Sequence, residues 1–189
     1  MFVSCPTLLV VPHVDAGDRT KWTDDQDLRP LSDVGRQQAG QLAAVVGRVD
    51  AVFSSPARRC VETVQPIAAA SGVDIVTMDD LRELTYVTDH RRWDHWASES
   101  TMSDYVVAAA GLGHIARAIV AIADRCTGRV AVCAHGDLVP LFAVFASAYL
   151  GTALPPPIAR GGCFEIELTG TATGVRSLGA LSPEPGTGS

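Results

Sequence analysis

Thr7-Leu8-Leu9-Val10-Val11-Pro12-His13-Val14-Asp15-Ala16-Gly17-Asp18-Arg19 decides how the rest of the chain is read. Leu8 to Val11 are β-formers with no polar interruption, the composition of a strand covered on both faces. Pro12 has no N–H to give to a sheet ladder, so pairing is expected to stop there. Asp15, Gly17 and Asp18 favour a loop. The stretch reads as a buried strand that delivers one histidine, His13, to its carboxyl end. In an open α/β sheet that end faces the crevice where ligands bind. Taken alone, the stretch fits a surface loop histidine slightly better, so the weight falls on what surrounds it.

Further along, Val130-Ala131-Val132-Cys133-Ala134 is a second apolar run, and it ends in His135-Gly136-Asp137. Ala51-Val52-Phe53 is another short strand. It runs into Ser54-Ser55-Pro56, with proline at a position tolerated in a first helical turn, and then a helix carrying Arg58, Arg59, Cys60, Glu62, Thr63 and Val64. Pro66 predicts a kink or break in that helix. Between the first two strands, Ser32 is an N-cap and Asp33 suits the positive end of a helix that continues at helical spacing to Gly47. Val73 to Met78 is a further strand, followed by a loop over 79–85.

Residues 86–103 are rich in charge and aromatics, with His90, Arg91, Arg92, Trp93, His95 and Trp96. They read as loop plus short helix, either a cap over a site or a solvated segment with its tryptophans turned inward. Gly111 and Gly113 interrupt a longer helical region, and His114 reads as a helix-start residue. Ile115, Ile119 and Ile122 then recur at helical spacing. Leu138 to Leu150 is almost wholly apolar and is predicted to be a buried helix, suited to an interface as much as to a core. Leu154-Pro155-Pro156-Pro157 is a stiff connection, and Cys163–Leu168 with Gly174–Leu178 reads as a terminal hairpin. Residues 1–181 form one domain, and the Pro, Gly and Ser tail over 182–189 is expected to be disordered. No internal repeat is present.

The chain's 189 residues match a single domain with a proper core. A net charge of −6 gives no support for nucleic acid or an anionic membrane as partner. No apolar run approaches a membrane span, and the start lacks the pattern of a signal peptide. Five dispersed cysteines without metal-type spacing fit free thiols in a reducing cytoplasm, so a cytoplasmic location is expected.

Alternating strands and helices bring His13, His135 and Arg59 to one edge of a parallel sheet. Two histidines and an arginine make a poor metal site and a good phosphoryl pocket. Neutral imidazole can attack phosphorus while cationic donors hold the remaining oxygens. The Ser54-Ser55 turn adds hydroxyl and amide donors. A divalent site built from His13, His135 and Asp15 or Asp137 is the weaker alternative.

At this point the sequence resembles the histidine phosphatase, or phosphoglycerate mutase-like, superfamily, from about Thr7 to Leu178. Its small bacterial phosphohistidine-phosphatase branch and the histidine phosphatase domain of some actinobacterial Nudix hydrolases are similar to it. The likeness is carried by five features in order. They are the strand ending at His13, Arg29-Pro30-Leu31-Ser32 with Gly35 and Gln38-Ala39, Ser54 through Thr63, Leu81-Arg82-Glu83-Leu84, and Ala134-His135-Gly136. The resemblance implies a three-layer α/β/α sandwich around a mostly parallel mixed sheet. It implies His13 as the phosphorylated nucleophile, Arg59 and Gly136 in phosphate binding, His135 as the group steadying the transferring phosphoryl, and Glu83 as the proton donor to the leaving group.

One departure stands out. The family's first motif has arginine before the histidine, and here the sequence is Pro12-His13-Val14. Losing one preorganised donor typically costs roughly 2.7–4 kcal/mol of transition-state stabilisation. Arg19, Arg29 and Arg160 are candidates to fill the gap, Arg19 being nearest in sequence. The expectation is therefore a phosphatase acting through a phosphohistidine at His13, on a phosphorylated small molecule or a phosphohistidine, with neither metal nor cofactor. The alternative is a phosphate-binding or regulatory pseudophosphatase that keeps the pocket without turnover.

Overall fold

The computed structural model describes residues 6–84, 99–158, 160–167 and 174–178, with the side chains of 99–106 outside that description. Most of the charged, aromatic 86–103 segment and the 182–189 tail lie outside the described residues. Strand β1 (Thr7–Pro12) is the hub. Leu8, Leu9, Val10 and Val11 are fully buried, as a strand with both faces covered requires. The remaining strands are β2 (Ala51–Ser54), β3 (Ile75–Thr77), β4 (Arg129–Ala134), β5 (Cys163–Glu167) and β6 (Val175–Leu178). They lie in the order β3-β2-β4-β1-β5-β6. β1 to β4 run parallel, β5 is antiparallel to β1, and β6 is antiparallel to β5.

Helices α1 (Asp33–Val46) and α2 (Arg58–Ser71) cover one face, and α3 (Glu99–Ala123) and α4 (Val139–Leu150) cover the other. Alternation along β1 sorts its side chains between them. Leu9 and Val11 join the core beneath α1 and α2, while Leu8 and Val10 join the core beneath α3 and α4. The architecture is the expected three-layer α/β/α sandwich on a mostly parallel mixed sheet.

Local details sharpen the expectations. Ser32 caps α1 by accepting the Gly35 N–H at 3.0 Å. α2 begins at Arg58, two residues after Pro56, and continues unbroken through Pro66. α3 likewise runs through both glycines, and His114 lies inside it with Nδ1 3.0 Å from Asp80 Oδ1. Gly111 serves packing, because a methyl there would press into Leu141 and Leu84. The 79–85 stretch contains a 3-10 turn at Asp79–Leu81.

The largest correction concerns α4. Its Val139, Phe142, Ala143 and Ala146 are buried, but Val144 is 41% exposed and Pro140 and Tyr149 also face outward. The helix is apolar on both sides and buried on one. Among the described residues no helix is long and apolar enough to cross a membrane.

Candidate active site

The parallel register of β1 and β4 builds the site. Pro12 pairs with Ala134, so the residues that follow, His13 and His135, emerge side by side at the carboxyl edge. Backbone pairing passes the proline by one step, since the His13 N–H donates to Ala134 O at 3.0 Å. The imidazole centroids are 5.5 Å apart and the rings meet edge-on at 72°. Ser54 of β2 pairs with Cys133 of β4, which brings Ser55 beside His135.

Each histidine is oriented by its partners. His13 Nδ1–H donates to Val14 O at 2.8 Å, which leaves Nε2 with its lone pair. Burial, the largest influence, holds the His13 imidazole down at about 4; His135, Arg59 and Arg160 push the same way, against the Val14 carbonyl. At neutral pH the imidazole is therefore unprotonated. Arg59 Nη2 donates to His135 Nδ1 at 3.2 Å, so the proton of His135 belongs on Nε2, which donates to Ser55 Oγ at 2.9 Å. A guanidinium cannot accept a hydrogen bond, and this fixes the tautomer.

Arg59 is 1% exposed. Its Nη1 donates to Gln26 O at 2.5 Å and its Nη2 also reaches Glu83 Oε2 at 3.1 Å. Its Nε is buried without a hydrogen-bond partner among the described residues. Glu83 lies between two guanidinium groups, with Oε1 2.8 Å from Arg19 Nη1. The carboxylate is held in place because Leu84, next in sequence, donates its N–H to Asp137 Oδ2 at 2.6 Å. Arg19 is therefore joined to Glu83.

The other two candidate arginines part ways. Arg29 Nη1 donates to the carbonyls of Ala16 and Gly17, at 2.9 and 3.1 Å, and so supports the loop after His13. Arg160 arrives from far along the chain, donates to Asp15 Oδ1 at 3.2 Å, and lines the cavity that also contains Pro12, His13 and Gly136. It is the candidate that acts on His13 electrostatically.

Many motif residues serve this loop. Gln38 Oε1 accepts the Asp15 N–H at 2.9 Å, Ser32 N–H donates to Asp15 O at 3.1 Å, and Ser32 Oγ also bonds Asp15 Oδ2. Thr63 Oγ1 accepts the Val14 N–H at 3.2 Å, and Glu62 Oε2 accepts the Leu31 N–H at 2.8 Å. Gly35 lets α1 approach so closely that a methyl there would overlap the Asp15 carbonyl oxygen. Asp15 and Asp137 are thus committed to structure. Among the described residues no three His, Cys, Asp or Glu are grouped to hold a metal.

Sequence reasoning missed the second half of the site. A cavity of about 340 Å³ opens beside His13 between α4 and the segment over 154–158. The signals are the all-apolar α4, which reads as a buried helix suited to core or interface, and the proline run, which reads as a stiff connection.

The family profile for the histidine phosphatase superfamily (branch 1) matches residues 16–151, more than two thirds of the chain, and the protein belongs to that superfamily. The matched span holds Arg59, Glu83 and His135 and begins just after His13. A Mycolicibacterium smegmatis protein, 8-oxo-(d)GTP phosphatase, is 34% identical over 91 residues, covering 47% of this chain and 28% of the relative. The match thus spans little more than a quarter of that protein's length. Among solved structures, a phosphoglycerate mutase from Bacillus anthracis superposes with a TM-score of 0.60 at 16% identity, covering 86% of this chain and 88% of the other. A mycobacterial glucosyl-3-phosphoglycerate phosphatase gives 0.55 at 19% identity, over 85% and 89%. At such identities the structural likeness speaks for the fold.

Proposed function

We propose that the protein is a phosphatase whose His13 Nε2 takes the phosphoryl group from a phosphomonoester. The observation that carries this reading is the in-register pair of histidines with Arg59 beneath it and the His13 lone pair left free. Nε2 would form a P–N bond as the bond from phosphorus to the leaving group breaks, P–O in a phosphomonoester and P–N in a phosphohistidine. Arg59 and His135 would supply donors for the charge on the transferring group, the Nε2–H of His135 turning from Ser55 Oγ to do so. Water then cleaves the P–N bond and restores the imidazole.

Glu83 is the proton donor to the leaving oxygen in this scheme. It holds Arg59 when no phosphate is present, and an incoming dianion competes for that guanidinium. General acid catalysis requires that the carboxyl carry the proton when the leaving group departs. Arg160 replaces, from the far end of the chain, the arginine that Pro12 displaces. The substrate is a phosphorylated small molecule or a phosphohistidine, and the name of the M. smegmatis relative adds nucleotides to the first group.

A second reading has its own support. Pro12 removes a donor, and Glu83 already occupies Arg59, which fits a protein that binds phosphate without turning it over. Hydrolysis of p-nitrophenyl phosphate by native protein, His13→Ala and Pro12→Arg separates the two. The phosphatase reading expects native turnover that survives EDTA and falls by on the order of 10⁴-fold or more in His13→Ala. An inert native protein that gains activity as Pro12→Arg would establish the binding reading instead.

A further inference from the structure

Residue 12 does more than omit an arginine. The Pro12 ring lines the cavity beside His13, together with Val139 and Val144 of α4, Leu154 and Ile158 of the following segment, and Phe164 of β5. Arg160 is the one charged residue among the described residues that line the cavity, and His13 is its other ionisable group. Its volume of about 340 Å³ is at the small end of sites that enclose organic ligands. A proline at this position gives the nucleophile an apolar neighbour in place of a cation.

The far wall is arranged to stay open. Val144 and Leu154 are 41% and 61% exposed, which is costly for side chains without a role there. The 154–158 segment is stiffened by its prolines and tied to both neighbours. Ser147 Oγ donates to Ala153 O at 3.4 Å, and Ser177 Oγ donates to Pro156 O at 2.5 Å. A fixed apolar groove thus ends at the candidate nucleophile.

We propose that this groove receives the organic group of the substrate and that the group is apolar, so that the substrates are aryl or alkyl phosphomonoesters rather than sugar phosphates or other polyhydroxylated ones. The proposal rests on the phosphohistidine reading of His13, because it is the phosphoryl at that atom that sets the organic group into the groove. Sugar hydroxyls would find few partners on these walls, and unpaired buried polar groups disfavour binding.

Matched phosphonates test the groove apart from the chemistry, since their P–C bond is not cleaved. Calorimetry with methylphosphonate and naphthylmethylphosphonate is expected to show the aryl compound binding at least about tenfold tighter, the scale of a few buried methylenes. Val144→Asn and, independently, Leu154→Asn, which add polarity without charge, should remove that preference, read as the ratio of the two affinities in each variant. Both positions are exposed, so circular dichroism should match native protein. Equal binding of the two phosphonates, no binding of either, or a preference that survives both substitutions overturns the proposal. The phosphohistidine reading fails by a different result, an undiminished turnover or phosphoryl labelling in His13→Ala.

Discussion

His13 divides its surroundings into two unlike halves. On one side Arg59, His135, Ser55, Glu83 and Arg19 form a chain of hydrogen bonds and ion pairs. On the other, Pro12, the outward face of α4 and the 154–158 segment offer carbon surface around open space. The first half is preorganised for charge, which favours a transferring phosphoryl because donors need not reorient during reaction. The second can only favour shape and apolarity. One atom, His13 Nε2, faces a problem of charge and a problem of fit, and each half answers one of them.

The largest effects should fall in the charged half. Glu83→Gln keeps the shape but removes the proton and the negative charge. In it, kcat is expected to drop by about 10²–10⁴, the usual range for a lost general acid. Inorganic phosphate should meanwhile bind roughly tenfold tighter, the scale of one hydrogen bond to a charged group, because Arg59 is released. Product inhibition in the same assay reads both numbers. If kcat and phosphate affinity fall together, Glu83 is a brace for Arg59 and the proton comes from elsewhere.

Arg59→Met comes next. It removes a donor aimed at the phosphoryl, with an expected loss of about 10²–10³ in kcat/KM. It also leaves Glu83 and His135 without their buried partner, so a fall in stability should accompany the kinetic loss. The comparison between halves adds a sharper demand: the preference for naphthylmethylphosphonate over methylphosphonate should persist in this variant. Its disappearance would mean that the two halves are one coupled structure.

Gly35→Ala probes the scaffold instead of the site. The added methyl meets the Asp15 carbonyl, and overpacking of this kind costs about 1–3 kcal/mol. Urea denaturation should show that loss, and the Asp15 loop must shift to accommodate it. An unchanged midpoint would show that the loop behind His13 is looser than its hydrogen bonds to Ser32 and Gln38 imply.

What the sequence made legible follows the same division. Leu8 to Val11 announced a central strand because burial on both faces leaves no polar residue, and register then carried His13 to His135. Pro66 does not break α2 and the Gly111–Gly113 pair does not interrupt α3, since tertiary packing outweighs propensity there. The role of Arg160 was beyond any local signal, because its partner Asp15 lies 145 positions away. Nor does an apolar helix state which of its faces meets a core and which a cavity. Periodicity reports contrast, and α4 has none to report. Arg29, Ser32 and Gln38 illustrate the converse, since a motif that looks like a site is here the frame of one.

The smallest effect is the one shared by both halves. His13 titrates at about 4 in the folded protein and near 6.5 when exposed, with burial as the leading cause. Between those values the unfolded chain holds more protons, so this group's contribution to stability falls as pH drops from 6.5 toward 4 and levels off below. The same window keeps Nε2 available for attack in mildly acid solution. Nuclear magnetic resonance of the His13 ring carbon tests this directly, and Arg160→Ala should move the midpoint slightly upward, because one cation is withdrawn from a site otherwise shielded by Pro12 and α4. A midpoint near 6.5 in native protein would mean that water reaches the ring freely and that the apolar half does not enclose the nucleophile. A low midpoint indifferent to Arg160 would assign the depression to burial with His135 and Arg59, and return the search for the missing clamp to the Arg19–Glu83 side.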